Sequence, residues 1–289
     1  MTIIAQIKAG VLKEYLSRAE NFVDELKLVA TPEGFSFKLV DPAHVAMCIS
    51  TLDAKAFNSL AVGIPDPITP LPGETAPPAP KGCEIFFDIE RLFGNVWRNT
   101  KPTDIIRIHA PKEETVETKI GKETKTYKAN YIEIEYNEIV KQVRINPADM
   151  DGYADPKWPN IDFKNKLSIR TSDLRAFINS ITDYTDHVRF RCVKSGFIAD
   201  MAPNAGEGIV KIRKMFREDA LQGYSFKEET MTLISLDYLT NMLKALGKTH
   251  WITLELSTDY PIRISWDQVL GQDIVGRGQY LLAPRIEND

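Results

Sequence analysis

The chain lacks the features of a membrane protein or of a protein held together by disulfides. Its 289 residues contain no apolar run long enough to cross a bilayer. The start, MTIIAQIKAG, has neither the charged head nor the long apolar core of a signal peptide. The three cysteines, Cys48, Cys83 and Cys192, are widely spaced and odd in number, which predicts reduced thiols. We therefore expect a protein of a reducing compartment with no membrane contact.

The sequence is also poor in excess charge and in metal-ligand patterns. Its four histidines and three cysteines are scattered, so no pair has the spacing of a zinc site. A net charge of -4 means that nucleic acid could be bound only by cations gathered on one face. With 43% hydrophobic and 26% charged residues the chain can bury a core, and its length predicts two domains.

The chain contains one long internal repeat. The segment that starts at Ile7, IKAGVLKEYLSRAENFVDELKLVATPEGFSFKLV, matches without a gap the segment that starts at Ile169, IRTSDLRAFINSITDYTDHVRFRCVKSGFIADMA. At this offset of 162 residues (169 − 7), Gly34 falls on Gly196. Each copy predicts a strand, an amphipathic helix and a hairpin that turns at a Gly-Phe pair.

A second pair of segments repeats at a different offset. DIERLFGNVWRNTKPTDIIRI, from Asp88, matches SLDYLTNMLKALGKTHWITLEL, from Ser235, at an offset of 147 residues (235 − 88). Alternating strand patterns follow each of these helices. The offsets differ by 15 residues (162 − 147), and a proline-rich stretch at 63–80 lies in the first copy between the repeated segments. Its composition predicts an exposed loop insertion.

These repeats predict an α+β protein built from two tandem domains, each with two helices packed on antiparallel sheets. The first domain would span residues 1–145 and carry the insertion at 63–80 and a charged hairpin at 112–128. Residues 146–160, rich in Pro, Asp and Gly, would form the connector between the domains. The second domain would span residues 161–289.

One polar turn, in the stretch LVDPAHVAMC at residues 39–48, interrupts an apolar pattern. Asp41 and His44 supply two potential metal ligands, but a metal site needs three or four. The sequence places neither a nucleophile nor an acid-base partner beside them, which disfavours catalysis. We therefore expect a turn in which the Asp41 carboxylate accepts hydrogen bonds from backbone N–H groups near Pro42.

Three motifs make the chain similar to the archaeal and eukaryotic sliding clamps of the proliferating cell nuclear antigen (PCNA) family. VDPAHVAMC resembles the family's Asp-x-x-His-Val turn, and SLDYLTNMLKAL resembles its fourth helix. YLLAPRIEND resembles the ending Tyr-x-Leu-Ala-Pro-Lys-Ile-Glu, with Arg285 in place of Lys and Leu281 where many relatives have Tyr. The resemblance covers nearly the whole chain, and the segments at 63–80 and 112–128 depart from it.

The resemblance implies a DNA sliding clamp, a polymerase processivity factor that is not an enzyme and needs no cofactor or metal. Such clamps form a closed ring, usually a homotrimer, with sheets outside and helices lining a hole for double-stranded DNA. They tether DNA polymerase, clamp loader, flap nuclease and ligase through short peptide motifs in DNA replication and repair. The implied location is cytoplasmic in an archaeon and nuclear in a eukaryote.

The resemblance further implies three sets of functional residues. The first lines a front-face pocket for partner peptides: Val40, His44, Met47, Met150, Tyr153, Pro261, Leu281, Leu282, Ala283 and Pro284. The second faces the DNA: Lys8, Lys13, Arg91, Arg98, Lys101, Arg175, Lys244 and Lys248. The third pairs an edge strand at 137–145 with one at 206–214 of the next subunit: Ile139, Lys141, Val143, Ile209, Lys211 and Arg213.

Two other functions stay open from the sequence alone. The chain could be a clamp-type subunit of a heteromeric ring, or a clamp-like regulator that does not close on itself. It could also be an enzyme, for example a nuclease that uses scattered acids such as Asp41, Asp53 and Asp200. No sequence motif supports the enzyme, and failure to self-assemble would distinguish the heteromeric ring.

Overall fold

The chain folds into two compact units. The computed structural model describes residues 2–63, 82–120, 123–145, 156–202, 210–247 and 249–285, with the backbone alone at 114–120 and 123–129. The units are Met1–Phe37 with Thr51–Asp155, and Lys38–Ser50 with Pro156–Asp289. The polar turn thus belongs to the second unit. The insertion predicted at 63–80, beyond Gly63, and most of the predicted connector lie outside the described residues, and the predicted domain boundaries stay a prediction.

The first unit combines two helices with antiparallel strands. The described elements are β1 (Ile3–Lys8), α1 (Ala9–Glu20), β2 (Glu25–Thr31), β3 (Gly34–Val40), β4 (Ala46–Asp53), β5 (Phe57–Val62), β6 (Cys83–Asp88), α2 (Ile89–Asn99), β7 (Ile105–Ile120), β8 (Glu123–Tyr136) and β9 (Ile139–Ile145). Five strands form a sheet in the order β5-β1-β7-β8-β9, and β2 pairs with both β3 and β6. The last three residues of β3 and the first five of β4 belong to the second unit.

The second unit repeats this combination. Its described elements are β10 (Asn165–Arg170), α3 (Thr171–Ile181), β11 (His187–Val193), β12 (Gly196–Ala202), β13 (Arg213–Arg217), β14 (Gln222–Ser225), β15 (Thr230–Ser235), α4 (Leu236–Ala245), β16 (Trp251–Leu256), β17 (Ile262–Leu270) and β18 (Asp273–Leu282). One sheet has the order β14-β10-β16-β17-β18 and continues into β4, and another has the order β13-β12-β11-β15.

The element boundaries reproduce both repeat offsets. Helix α3 begins 162 residues after α1 (171 − 9), and α4 begins 147 residues after α2 (236 − 89). The hairpin glycines are equivalent as well, because Gly34 and Gly196 share a φ of 143°. The sequence repeat is therefore a structural repeat.

The helices form because their apolar residues recur on one face. In α3, Leu174, Phe177, Ile178 and Ile181 are buried, which is the spacing of an amphipathic helix. In α2, the side chain of Asp88 caps the first turn by accepting a hydrogen bond from the backbone N–H of Arg91 at 2.7 Å. Within each unit the two helices pack against each other. None of the helices in the described parts of the chain is long and apolar enough to span a membrane.

Two strands extend or shift what the sequence predicted. The charged hairpin predicted at 112–128 lies within the long β7–β8 pair, whose register runs from Arg107↔Glu135 to Ile120↔Glu123. The edge strand predicted at 206–214 instead begins at Arg213 in the described part of the chain. Its position follows from the pairing of Phe197 with Phe216, whose rings stack at 5.8 Å.

Candidate functional site

The Asp41 carboxylate organises the polar turn after β3. Asp41 is only 3% exposed. Its Oδ1 accepts hydrogen bonds from the backbone N–H groups of Val45 (2.7 Å) and Ala46 (2.6 Å), and its Oδ2 accepts from Ala43 (3.1 Å) and from the Tyr238 hydroxyl (2.7 Å). Four donors occupy the acceptor sites of a carboxylate. The prediction that Asp41 holds the turn through backbone N–H groups is therefore confirmed.

Tyr238 connects this turn to helix α4, a link that the sequence does not signal. The hydrogen bond to Asp41, together with burial and the negative charges of Asp41 and Asp237, raises the pKa of Tyr238 to about 12. Its hydroxyl therefore stays protonated and donates to Asp41 at physiological pH. The two residues are 197 positions apart, so no local spacing could have paired them.

The turn presents His44 and a strip of apolar side chains at the surface. His44 is exposed, with a φ of 58°. The backbone N–H of Ala283 donates to the carbonyl of Val45 at 2.9 Å, which sets β4 and β18 side by side. This antiparallel register places Met47 beside Leu281 on one face of the sheet. The structure therefore brings the turn and the end of β18 together, as the predicted pocket requires.

The remaining pocket residues differ in how much surface they offer. Val40, Met47, Pro261, Ala283 and Pro284 are half-buried. Such partly exposed apolar side chains provide the kind of shallow surface to which a short peptide segment binds.

Leu282 does not belong to an open pocket surface in this structure. It is fully buried and pairs with Ile262, whose side chain is also in the core. Leu281 lies on the opposite face beside Arg263 and retains 5% exposure. Strand alternation thus directs only one of the two leucines outward. Met150 and Tyr153 lie outside the described residues.

The predicted DNA-facing residues are mostly exposed, but they share the helices with acids. The exposed members in the described residues are Lys8, Lys13, Arg91, Arg98, Lys101 and Lys244. Arg98 donates to Glu90 at 2.8 Å within α2, so part of its charge is neutralised. Burial, followed by the negative charge of Glu90, raises the pKa of Glu20 at the end of α1. The α1–α2 face therefore carries mixed charge.

The second unit contributes fewer exposed cations from its helices. Lys244 is exposed in the last turn of α4, whereas Arg175 in α3 is half-buried. Lys248 lies outside the described residues.

The predicted subunit interface on the first unit is an edge strand. Strand β9 is the last strand of its sheet and exposes Ile139 (47%) and Val140 (59%). Lys141 points toward its own unit, because its Nζ donates to the carbonyls of Arg91 (2.6 Å) and Leu92 (2.9 Å). Val143 is half-buried. The apolar residues of this edge, rather than Lys141, are available for pairing with another chain.

Strand β13 is the corresponding edge of the second unit. Arg213 forms a close ion pair with Asp200, which also binds Arg191 at 2.7 Å. Lys211 precedes the strand and is partly exposed, and Ile209 lies outside the described residues. The acid that balances the cations of this strand is thus Asp200 on the neighbouring β12, which sequence reasoning did not find.

The acids considered for a nuclease occupy structural positions. Asp41 is used by the turn and Asp200 by two arginines, while Asp53 lies 3.8 Å from Lys55. Among the residues that the structure describes, no group of three or more His, Cys, Asp or Glu side chains could hold a metal ion.

Comparisons with known proteins bear on the whole chain. No family model matches it. It is 28% identical over 285 residues to the DNA polymerase sliding clamp of Methanosarcina barkeri, with 99% of both chains covered. It is 27% identical over 278 residues to the DNA polymerase sliding clamp of Thermoplasma acidophilum, with 96% of both chains covered.

Solved structures show the same architecture. A. fulgidus PCNA bound to the C-terminal region of FEN-1 matches with a TM-score of 0.76 and 20% identity, over 99% of this chain and 100% of that one. PCNA from Thermococcus kodakaraensis matches with a TM-score of 0.72 and 16% identity, over 98% of this chain and 100% of that one. The predicted α+β fold with two tandem copies is thereby confirmed.

Proposed function

We propose that this chain, a PCNA-type sliding clamp by sequence and fold, encircles double-stranded DNA as a ring and tethers replication and repair enzymes to it. The observation that carries the proposal is the twofold repeat of helices and antiparallel sheets along a chain that matches known sliding clamps over 99% of its length. A ring of such units retains DNA by topology, so it needs only weak, non-specific contacts with the phosphates.

The chain would act as a scaffold rather than as an enzyme. Asp41 and Asp200, the buried acids of a hypothetical active site, serve a turn and an ion-pair cluster instead. DNA polymerase, clamp loader, flap nuclease and ligase would bind it through short peptides. A relative, A. fulgidus PCNA, binds the C-terminal region of FEN-1, which supports this mode of partner binding.

The peptide site would be the apolar surface around the Asp41 turn and the end of β18. Met47, Leu281, Ala283 and Pro261 would contact the apolar residues of a partner peptide. Because the turn is fixed by the four hydrogen bonds to Asp41, the surface is pre-organised, which lowers the entropy cost of binding.

A charge on this surface should prevent peptide binding. We expect Met47→Glu to weaken binding of a synthetic peptide from the C-terminal region of FEN-1 at least tenfold, because a carboxylate would be desolvated against an apolar partner. Isothermal titration calorimetry measures the affinity. Leu282 is unsuitable for this test, because it is fully buried and a charge there would disrupt the core.

The matched control is Val269→Glu. Val269 is 54% exposed on the same sheet, seven residues along β17 from Ile262, and thus roughly 23 Å from the end that faces the turn. This variant should bind the peptide as the wild type does. Equal affinity of Met47→Glu and wild type would refute the pocket. Failure of the wild-type chain to extend polymerase processivity on primed circular DNA would refute the clamp function itself.

A further inference from the structure

The second unit contains a basic groove that none of the predicted sites accounts for. It has a volume of about 580 Å³ and lies between the start of α3 and the connection from α4 to β16. Its described lining residues are Arg170, Ser172, Arg175, Gly247, Thr249, His250 and Trp251. Two guanidinium groups and an imidazole therefore face the groove, and none of the described lining residues is acidic.

The two arginines are held in place without an ion pair in the described part of the chain. The guanidinium carbon of Arg170 lies 5.4 Å from the ring centroid of Trp251, in a cation–π contact. The Nε of Arg175 is buried and has no hydrogen-bond partner among the described residues. Gly247 makes room for this side chain, since a Cβ there would lie 3.3 Å from a terminal nitrogen of Arg175. An unsatisfied buried donor on a cation favours an anionic ligand.

The equivalent place in the first unit is closed. At the offset of 162 residues, Ser172 corresponds to Gly10 (172 − 162). Gly10 packs so tightly on Pro102 that a Cβ would lie 2.8 Å from the Pro102 Cβ, and its N–H donates to the Pro102 carbonyl at 2.9 Å. The groove is thus a property of the second unit and not of the repeat.

Helix α3 itself presents no exposed cation. Its exposed residues are Ser172, Asp173, Ala176, Asn179 and Ser180. If the helix faces track DNA, the cations of the second unit that can reach a phosphate near α3 are those of the groove.

We propose that this groove binds a phosphate group of the DNA backbone, with Arg170 and Arg175 as the anchoring residues. The inference rests on the proposed clamp function, and it names a phosphate contact beyond the exposed helix faces. Guanidinium groups suit this role, because their planar donors match the oxygens of a phosphate. The contact would be independent of base sequence.

The test is the salt dependence of binding to a short fluorescein-labelled DNA duplex, measured by anisotropy with the full-length chain. Each lost phosphate contact lowers the slope of log K against log salt by about 0.9. We expect Arg170→Ala with Arg175→Ala to lower the slope by about one and to weaken binding several-fold at low salt. The double lysine variant should keep most of the slope, because charge is retained.

The matched control is Lys194→Ala with Lys227→Ala, which removes two exposed charges that do not line the groove. It should leave the slope unchanged. Should the arginine variant fold poorly, Ser172→Asp adds a negative charge at an exposed lining position, and an acid in the first helical turn is itself stabilising. This variant should weaken DNA binding as well.

The possible outcomes separate the two proposals. A wild-type chain that binds the duplex, together with arginine and Ser172→Asp variants that keep its slope and affinity, overturns the groove and leaves the clamp standing. A wild-type chain that neither binds duplex nor stimulates polymerase overturns both. A slope that falls in the arginine variant and not in the lysine control supports the groove.

Discussion

At the scale of single residues, the pairing of Asp41 with Tyr238 shows how a buried carboxylate serves a surface. The carboxylate is satisfied by three backbone N–H groups and one hydroxyl, so its charge costs little and fixes the turn. The motif predicts the backbone part, because Asp before Pro favours such turns. It cannot predict Tyr238, which reaches the turn only through the tertiary fold.

The hydroxyl of Tyr238 should contribute measurably to stability. We expect Tyr238→Phe to lower the free energy of unfolding by about 1–2 kcal/mol at pH 8, because one hydrogen bond to a charged group is lost. Urea unfolding measures this difference. Tyr184→Phe is the matched control, since Tyr184 is 50% exposed.

The same variant should reveal the raised pKa of Tyr238. The hydroxyl has a pKa of about 12 in the folded chain against 10.0 ordinarily. The folded state therefore holds the proton more tightly, and its contribution is complete below pH 10 and is lost as the pH rises toward 12. The stability difference between wild type and Tyr238→Phe should shrink over this range. A constant difference would contradict the assigned hydrogen bond.

At the scale of elements, the two copies use the same hairpin geometry. Gly34 and Gly196 both have a φ of 143°, a region that side chains rarely adopt. A Cβ at Gly34 would lie 2.0 Å from the Leu52 carbonyl oxygen, and one at Gly196 would lie 2.2 Å from the Phe216 carbonyl oxygen. Close backbone approach therefore requires glycine at both positions, and the repeat preserves it.

Replacing either hairpin glycine should be costly. We expect Gly34→Ala to destabilise the chain by about 2 kcal/mol or more, because both the backbone conformation and the space exclude a methyl group. Gly271→Ala is the control, since Gly271 has a φ of 66° but no atom of the described residues lies within 4 Å of the place a Cβ would take. Roughly 1 kcal/mol is expected there. Urea denaturation compares the two, and equal losses would mean that steric contact with Leu52 adds nothing.

At the scale of the whole molecule, the sequence predicts the fold because the repeat extends over helices, hairpins and glycines together. Agreement at several levels is typical of a natural fold. Individual side chains were harder to place, because alternation along β18 buries Leu282 and exposes its neighbour's face. The start of β13 also escaped prediction, since it depends on the pairing of Phe216 with Phe197 and of Arg213 with Asp200.

Assembly is the prediction at this scale. Light scattering should give three times the chain mass of 32.7 kDa, because open edge strands at β9 and β13 favour head-to-tail closure. Ile139→Glu should shift the mass toward that of one chain, since it adds a charge to an exposed apolar edge residue.

The control for assembly is Ile4→Glu. Ile4 is 42% exposed but lies on β1, an interior strand of the same sheet, so the trimer mass should persist. An Ile139→Glu variant that keeps the trimer mass would remove β9 from the interface. A wild-type chain of monomer mass at every concentration would favour a heteromeric ring.

The assignment of residues 38–50 to the second unit has a consequence for how the protein is made. This segment leaves the ribosome long before the strand beside which it will lie, since β4 adjoins β18. The carboxyl-terminal half expressed alone would keep an unpaired β18, an invitation to aggregate. The two halves are therefore not independent modules that could be cut apart at the connector. Supplying the missing strand in trans would be the way to reassemble them.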